Sequence, residues 1–199
     1  MREGQQHDAI FRIGGALSLP RPMTGWLERA LALRRLESLY GELPEGLGDQ
    51  DFLEESLHRL GVGWRVSEAD RSRIPREGPV VVVANHPYGG LEGMVMAALL
   101  GEVRGDVRLL ANHLLGRVPE MDRHIIGLDP FGGRQAHRRN APALRRALDW
   151  LEDGGLLGCF PAGEVAHLRL RERSVADPAW FPTAARLARK AGATVIPMH

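Results

Sequence analysis

Residues 79–93 read Pro-Val-Val-Val-Val-Ala-Asn-His-Pro-Tyr-Gly-Gly-Leu-Glu-Gly. The apolar, β-branched run from Val80 to Ala84 stands between Gly-Pro on one side and Asn-His-Pro on the other. A run of this kind predicts a short strand that is buried on both of its faces. It stops at a histidine, two glycines and an acid, and α/β proteins bind their ligands at the carboxyl ends of such strands. We therefore expect the functional site at residues 85–93.

Strand and helix patterns alternate through the rest of the chain. The predicted strands lie at 64–66, 80–84, 107–110, 156–160 and 194–197, and the predicted helices at 51–60, 91–100, 113–117, 140–151 and 182–191. The helix from Asn140, its predicted cap, carries apolar residues at the i, i+3, i+4, i+7 spacing. The piece before Asn140 is predicted to be rich in turns, and the piece after residue 160 to be an arginine-rich loop. This alternation predicts an α/β fold with a largely parallel central sheet flanked by helices.

Residues 1–62 are predicted to form an N-terminal leader and helical segment, and residues 63–199 the α/β domain. After an irregular leader, a helix from about Thr24 to Tyr40 is apolar around much of its circumference. That breadth fits packing against the domain, and it also fits a helix that rests on a bilayer surface. Asp51 and Glu54 then have the spacing of a capping box. His199 follows directly on the last predicted strand, and members of the family that the sequence resembles, named below, continue past this point, which is consistent with a domain truncated at its C-terminus.

The composition narrows the class of protein. With 26 Lys and Arg against 25 Asp and Glu the net charge is +1, which argues against a nucleic-acid binder. One cysteine, Cys159, excludes an internal disulfide and fits a reducing compartment, and its apolar neighbours predict a buried core thiol. The sequence has no apolar stretch long enough to span a bilayer, so any membrane contact is expected to be peripheral. The histidine spacing is not that of a metal site, and we expect no metal.

His86 is the first candidate for catalysis. A histidine titrates near neutral pH and makes a good general base. Glu92 falls in the first turn of the next predicted helix, where it can accept the second imidazole N–H and fix the tautomer. Gly89 and Gly90 permit a tight turn with exposed backbone N–H groups. The alternative is that Glu92 only complements the helix dipole and His86 only ends a strand.

Two further stretches carry possible site residues. Phe160-Pro161-Ala162-Gly163-Glu164 again follows a predicted strand, so it can share one crevice with His86 or form a plain turn. Residues 127–134 read Gly-Leu-Asp-Pro-Phe-Gly-Gly-Arg and precede Arg138 and Arg139. These arginines can present guanidinium groups to an anionic head group, or they can be ordinary solvated side chains.

Taken in this order, the three stretches resemble the lysophospholipid (glycerolipid) acyltransferase superfamily. They are most similar to its bacterial, hemolysin-like branch, which has an Asn-His-Pro-x-Gly-Gly-x-acid-Gly signature. The resemblance covers about Phe52 to His199 and implies that His86 and Glu92 are catalytic. It further implies that the substrates are bound by Asn85, Gly89, Gly90, Arg134, Phe160, Pro161, Gly163 and Glu164.

The sequence departs from the common superfamily pattern at two points. The usual motif is His-x4-Asp, whereas here the acid is Glu92, one position later and one methylene longer. The usual Phe-Pro-Glu-Gly has Ala162 in place of its glutamate, so Glu164 is the candidate substitute.

The resemblance implies an acyltransferase. His86, oriented by Glu92, would take the proton from a lysolipid hydroxyl as it attacks the thioester carbonyl of acyl carrier protein or coenzyme A, with no other cofactor. The acceptor is expected to be a lysophospholipid or a lyso-aminolipid whose anionic group meets Arg134. The expected location is the cytoplasm, peripheral on the inner face of the cell membrane. A non-catalytic, membrane-associated lipid-binding module and a thioesterase or esterase remain the alternatives.

Overall fold

The computed structural model describes residues 38–129, 136–169 and 173–199. The strands are β1 (Val80–Ala84), β2 (Val107–Asn112), β3 (Ile125–Leu128), β4 (Leu156–Cys159), β5 (His167–Arg169), β6 (Ser174–Ala176) and β7 (Thr194–Met198). The helices are α1 (Asp49–Arg59), α2 (Glu68–Arg71), α3 (Gly90–Gly101), α4 (Pro119–Asp122), α5 (Ala136–Glu152) and α6 (Thr183–Ala191), with a 3-10 helix at His113–Arg117.

Five strands form a parallel sheet in the order β3-β2-β4-β1-β7, and β5 and β6 form a separate antiparallel hairpin. Helices pack on both faces of the sheet. Because successive side chains of a strand point to opposite faces, each strand contributes to two cores. Val80 and Val82 belong to the core shared with α1 and α3, whereas Val81 belongs to the core shared with α5 and α6. The predicted α/β fold with a parallel central sheet flanked by helices is confirmed.

Three local predictions are wrong. Helix α1 begins at Asp49 after Gly48 and has no side-chain cap, so Asp51 and Glu54 form no capping box. Residues 64–66 form no strand. Asn140 lies inside α5 rather than at its start. Its side chain instead binds the backbone of Asp129, accepting the N–H at 2.7 Å and donating to the carbonyl at 3.0 Å.

Two strand regions replace segments that the sequence predicted as turn or loop. The four residues of β3 fall in the turn-rich piece and pair only with β2. Gly127 lies so close to His113 that a Cβ added there would stand 2.9 Å from the His113 Cα, which only glycine permits. The hairpin of β5 and β6 falls in the arginine-rich loop, where each strand is three residues long and is too short for a periodic signal.

The leader and most of the predicted helix from Thr24 lie outside the described residues, although residues 38–41 are helical. Of the helices that the structure describes, none combines the length and apolar character needed to cross a membrane.

Candidate active site

The turn after β1 presents His86 at the carboxyl edge of the sheet. Gly89 is the residue before α3 and has φ 79° and ψ −126°, a backbone conformation that residues with a Cβ rarely adopt. This glycine reverses the chain within a few residues of the strand. As a result, His86 and the first turn of α3, which carries Glu92, face one another across the turn.

The structure brings together His86 and Glu92, the two residues predicted to act as an acid–base pair. The His86 Nδ1 atom lies 3.7 Å from Glu92 Oε1, and both side chains are largely buried. Glu92 Oε1 also accepts the backbone N–H of Tyr88. Within the described chain, His86 Nδ1 and Glu92 Oε2 are buried and have no hydrogen-bond partner. The distance exceeds that of a hydrogen bond, but catalytic hydrogen bonds often tighten only when substrate binds.

Phe160 packs against the imidazole from the neighbouring strand. Its ring stacks on that of His86 with centroids 4.3 Å apart and planes inclined by 22°. The two residues follow β1 and β4, which are adjacent and parallel, so both strand ends arrive at one edge. The stacking fixes the plane of the imidazole, and the contact unites the first two stretches that the sequence selected.

The turn after Phe160 is less directly connected with the histidine. Ala162, which replaces the usual glutamate, is buried, whereas Glu164 is exposed. Gly163 has φ +74°, and the ring of Phe181 lies over it. The Pro161 carbonyl accepts the Phe181 N–H at 2.9 Å. Phe181 was not selected from the sequence.

The described part of the third stretch, residues 127–129, lies at the same edge of the sheet but farther along it. The strand order separates β3 from β1 by β4 and β2, so their ends are three spacings, roughly 14 Å, apart. Arg139 lies 3.3 Å from the carboxylate of Asp129, and Arg138 is exposed. The predicted binding residue Arg134 lies outside the described residues.

Asp177 is a site residue that the sequence analysis missed. Its Oδ1 accepts the backbone N–H of His86 at 3.1 Å, and its Oδ2 accepts the indole N–H of Trp180 at 3.0 Å. The Asp-Pro pair at 177–178 is only a general turn signal. Nothing in the sequence connects it with a histidine 91 residues earlier.

Neither a cysteine nucleophile nor a metal site is found in the described parts of the chain. Cys159 is 4% exposed, and burial raises the pKa of its thiol to about 12. The predicted core thiol is confirmed, and a thiolate nucleophile is disfavoured. No group of three His, Cys, Asp or Glu side chains in the described parts of the chain is arranged to hold a metal ion.

Comparison with known proteins gives two curated relatives. The lyso-glycine lipid O-acyltransferase of Phocaeicola vulgatus is 25% identical over 182 residues, which are 91% of this chain and 62% of that protein. The enzyme of the same name from Bacteroides thetaiotaomicron is 26% identical over 182 residues, which are 91% of this chain and 63% of that protein. The chain therefore spans less than two thirds of the length of these relatives.

The family assignment comes from a match over almost the whole chain. Residues 14–199 match the profile of a family described as acyltransferase. This range contains β1, the turn with His86 and Glu92, and the Phe160 turn. The chain belongs to this acyltransferase family.

Proposed function

We propose that this protein is an O-acyltransferase that moves a fatty acyl chain from a thioester to the hydroxyl of a lysolipid. Membership of the acyltransferase family and two relatives named for lyso-lipid acylation support this reaction class. The observation that carries the proposal is the buried His86–Glu92 pair, in which Nδ1 and Oε1 are 3.7 Å apart. With Nδ1 turned toward the carboxylate, Nε2 is available as the base.

The proposed transfer proceeds through a tetrahedral intermediate. As the acceptor oxygen forms a bond to the thioester carbonyl carbon, its proton passes to Nε2 of His86. Glu92 stabilises the imidazolium that results, as the acid does in a histidine–acid pair. When the intermediate collapses, the C–S bond breaks and the imidazolium returns the proton to the leaving thiolate. Atoms and charges balance, so the reaction needs no cofactor besides the thioester.

The two substrates are assigned by chemistry. The donor is the thioester of acyl carrier protein or coenzyme A. The acceptor is a lysolipid with an anionic group, either a lysophospholipid or a lyso-aminolipid. We propose that its anionic group binds Arg134. We further propose that the substrates contact Asn85, Gly89, Gly90, Phe160, Pro161, Gly163 and Glu164. The end of β3 lies along the same sheet edge as His86, so an extended acceptor would have to reach along this edge from one to the other. The proposed location is the inner face of the cell membrane.

The experiment is a product analysis. Purified protein is incubated with labelled acyl thioester and a panel of lysolipids, and diacyl product is resolved from free fatty acid. We expect diacyl product, with a fall on the order of 10²–10⁴-fold for His86→Ala because positioned general-base catalysis is lost. His58→Ala, at an exposed position near the end of α1, is the matched control.

Each other outcome identifies a different function. Free fatty acid as the main product indicates a thioesterase or esterase, in which water replaces the acceptor. Lysolipid binding without any product indicates a lipid-binding module. Transfer by His86→Ala at the wild-type rate would exclude the base assigned here. For the acceptor site, Arg134→Ala is expected to raise the acceptor KM more than the donor KM.

A further inference from the structure

Exposed apolar side chains are concentrated around the candidate active site. Seven large apolar side chains are exposed among the residues that the structure describes, and six of them belong to the turn after β1 or to residues 165–181. These six are between 44% and 77% exposed. We call them the apolar rim: Tyr88, Val165, Leu168, Val175, Trp180 and Phe181.

The rim is attached directly to the catalytic turn. The His86 carbonyl accepts the N–H of Ala166 at 2.8 Å. The Val165 side chain lies 3.6 Å from the position that a Cβ on Gly89 would take. Trp180 connects with the His86 backbone through Asp177. The segment that carries five of the six rim residues is therefore fixed to the turn of His86 at three points.

The hairpin contributes an uncovered apolar pair. Leu168 and Val175 are directly opposite each other in the register of β5 and β6, so their side chains project from the same face. Both are more than half exposed. Globular proteins rarely leave contiguous apolar surface in water unless it meets a partner or a membrane.

The chemistry of the rim favours lipid over protein. Tyr88 and Trp180 have an apolar body and a polar end, the residue types that concentrate at membrane–water interfaces. Two carboxylates of this region are engaged, since Glu92 accepts the Tyr88 N–H and Asp177 accepts the His86 N–H. Of the described residues in this segment, Glu164 and Arg173 are exposed and carry opposite charges. Such a surface suits apolar insertion better than electrostatic docking.

We propose that the apolar rim inserts into the interfacial layer of a lipid bilayer, so that the entrance to the site opens onto lipid. This inference rests on the proposed function, because a lysolipid acceptor resides in the membrane. The hairpin and the Tyr88 turn enter the bilayer together, and the sheet stays in water. Binding then depends on apolar area and only weakly on salt.

The first test is vesicle flotation of the full chain with phosphatidylcholine vesicles, with and without phosphatidylglycerol. The double variant Leu168→Ser, Val175→Ser is expected to lower the partition coefficient roughly tenfold or more, since two apolar side chains lose their burial in lipid. Val195→Ser is the matched control, because Val195 is also exposed but lies on β7, opposite Val81. Its partition coefficient should equal that of the unchanged chain.

A second measurement needs no variant of the hairpin. Tryptophan fluorescence of the unchanged chain should be quenched by vesicles of brominated lipid, and Trp180→Phe should remove that quenching. Absence of vesicle binding by the unchanged chain overturns the proposal, as does quenching that is not reduced in Trp180→Phe. A rim variant that changes the oligomeric state in light scattering, with unaltered vesicle binding, would instead assign the rim to a second copy of the chain.

The failure of this inference and the failure of the proposed function give different results. His86→Ala should bind vesicles as the unchanged chain does. The hairpin double variant should keep its rate with a short-chain, water-soluble acceptor and lose rate with an acceptor held in vesicles. Vesicle binding through the rim without acyl transfer would refute only the function. Normal acyl transfer by the unchanged chain, together with normal vesicle binding by a rim variant, would refute only the proposal that the rim inserts into lipid.

Discussion

Asp177 holds the backbone of His86 from a point 91 residues further along the chain, with its Oδ1 atom 3.1 Å from the His86 nitrogen. The second carboxylate oxygen accepts the indole N–H of Trp180. One side chain therefore joins the catalytic turn to the segment that leaves the β5–β6 hairpin. We interpret Asp177 as a positioning residue, because its carboxylate accepts the backbone N–H of the proposed base.

Replacement of Asp177 should alter kcat more than KM. Asp177→Ala removes the acceptor of the His86 N–H, and a small displacement of the imidazole is expected to lower kcat roughly tenfold. Asp177→Asn keeps an oxygen at that position and should recover most of the loss. Steady-state kinetics with both variants and with Trp180→Phe provide the measurement. If Asp177→Asn lowers kcat as much as Asp177→Ala does, the negative charge of Asp177 is what matters, not the hydrogen bond to the His86 N–H.

The charge of Glu92 is the second testable feature. Glu92→Gln keeps the size of the side chain and an oxygen for the Tyr88 N–H, but it cannot stabilise an imidazolium. We expect acyl transfer to fall on the order of 10²-fold. Glu102→Gln is the matched control, since Glu102 caps the other end of the same helix and pairs with Arg71. Equal rates for the two variants would leave Glu92 as an acid that only complements the helix dipole.

Gly89 and Gly90 should respond differently to alanine, although the same role was predicted for both from the sequence. Gly89 needs its positive φ, so Gly89→Ala is expected to lower the free energy of unfolding by about 1–3 kcal/mol. The cause is backbone strain, because its nearest neighbour would be an ordinary contact at 3.6 Å. Gly90 begins α3 in open space. Gly90→Ala should leave the urea midpoint unchanged or raise it slightly, and an equal loss in both variants would contradict this interpretation.

The sequence predicted those parts of the site that follow strands with strong apolar signals. The valine run fixed β1, and the run before Phe160 fixed β4, so the meeting of their ends followed from parallel pairing. The contact between the Phe160 and His86 rings is consistent with that expectation. Position after a buried strand is therefore the property that made these residues predictable.

Residues held by short or irregular segments were not predictable in the same way. Asp177 follows a strand of three residues, and its partner is fixed by tertiary structure alone. Asn140 has the residue type of a helix cap, yet the helix extends past it and its amide binds the Asp129 backbone. A local propensity gave the wrong role there, because a tertiary contact competed for the same side chain.

Arg104 joins three loops at the amino edge of the sheet, opposite His86. Its guanidinium donates to the carbonyls of Pro75, Gly78 and Gly154 at 3.1, 3.0 and 2.7 Å and to the carboxylate of Asp106. Arg104→Met leaves these acceptors without their donor. We expect the free energy of unfolding to fall by about 3 kcal/mol, measured by urea denaturation.

The ion pair also predicts how that stability depends on pH. The hydrogen bond from Arg104 lowers the pKa of Asp106, with burial acting in the opposite direction. Because the folded pKa is below the unfolded one, the contribution to stability is complete above the unfolded pKa and is lost as pH falls through the folded pKa. The difference in unfolding free energy between the unchanged chain and Asp106→Asn should therefore be largest at neutral pH and shrink in acid. A difference that stays constant down to acid pH would show that the charge of Asp106 contributes nothing to stability. Acyl transfer at neutral pH should be equal in the unchanged chain and Asp106→Asn, because Asp106 and Arg104 lie at the edge of the sheet opposite His86.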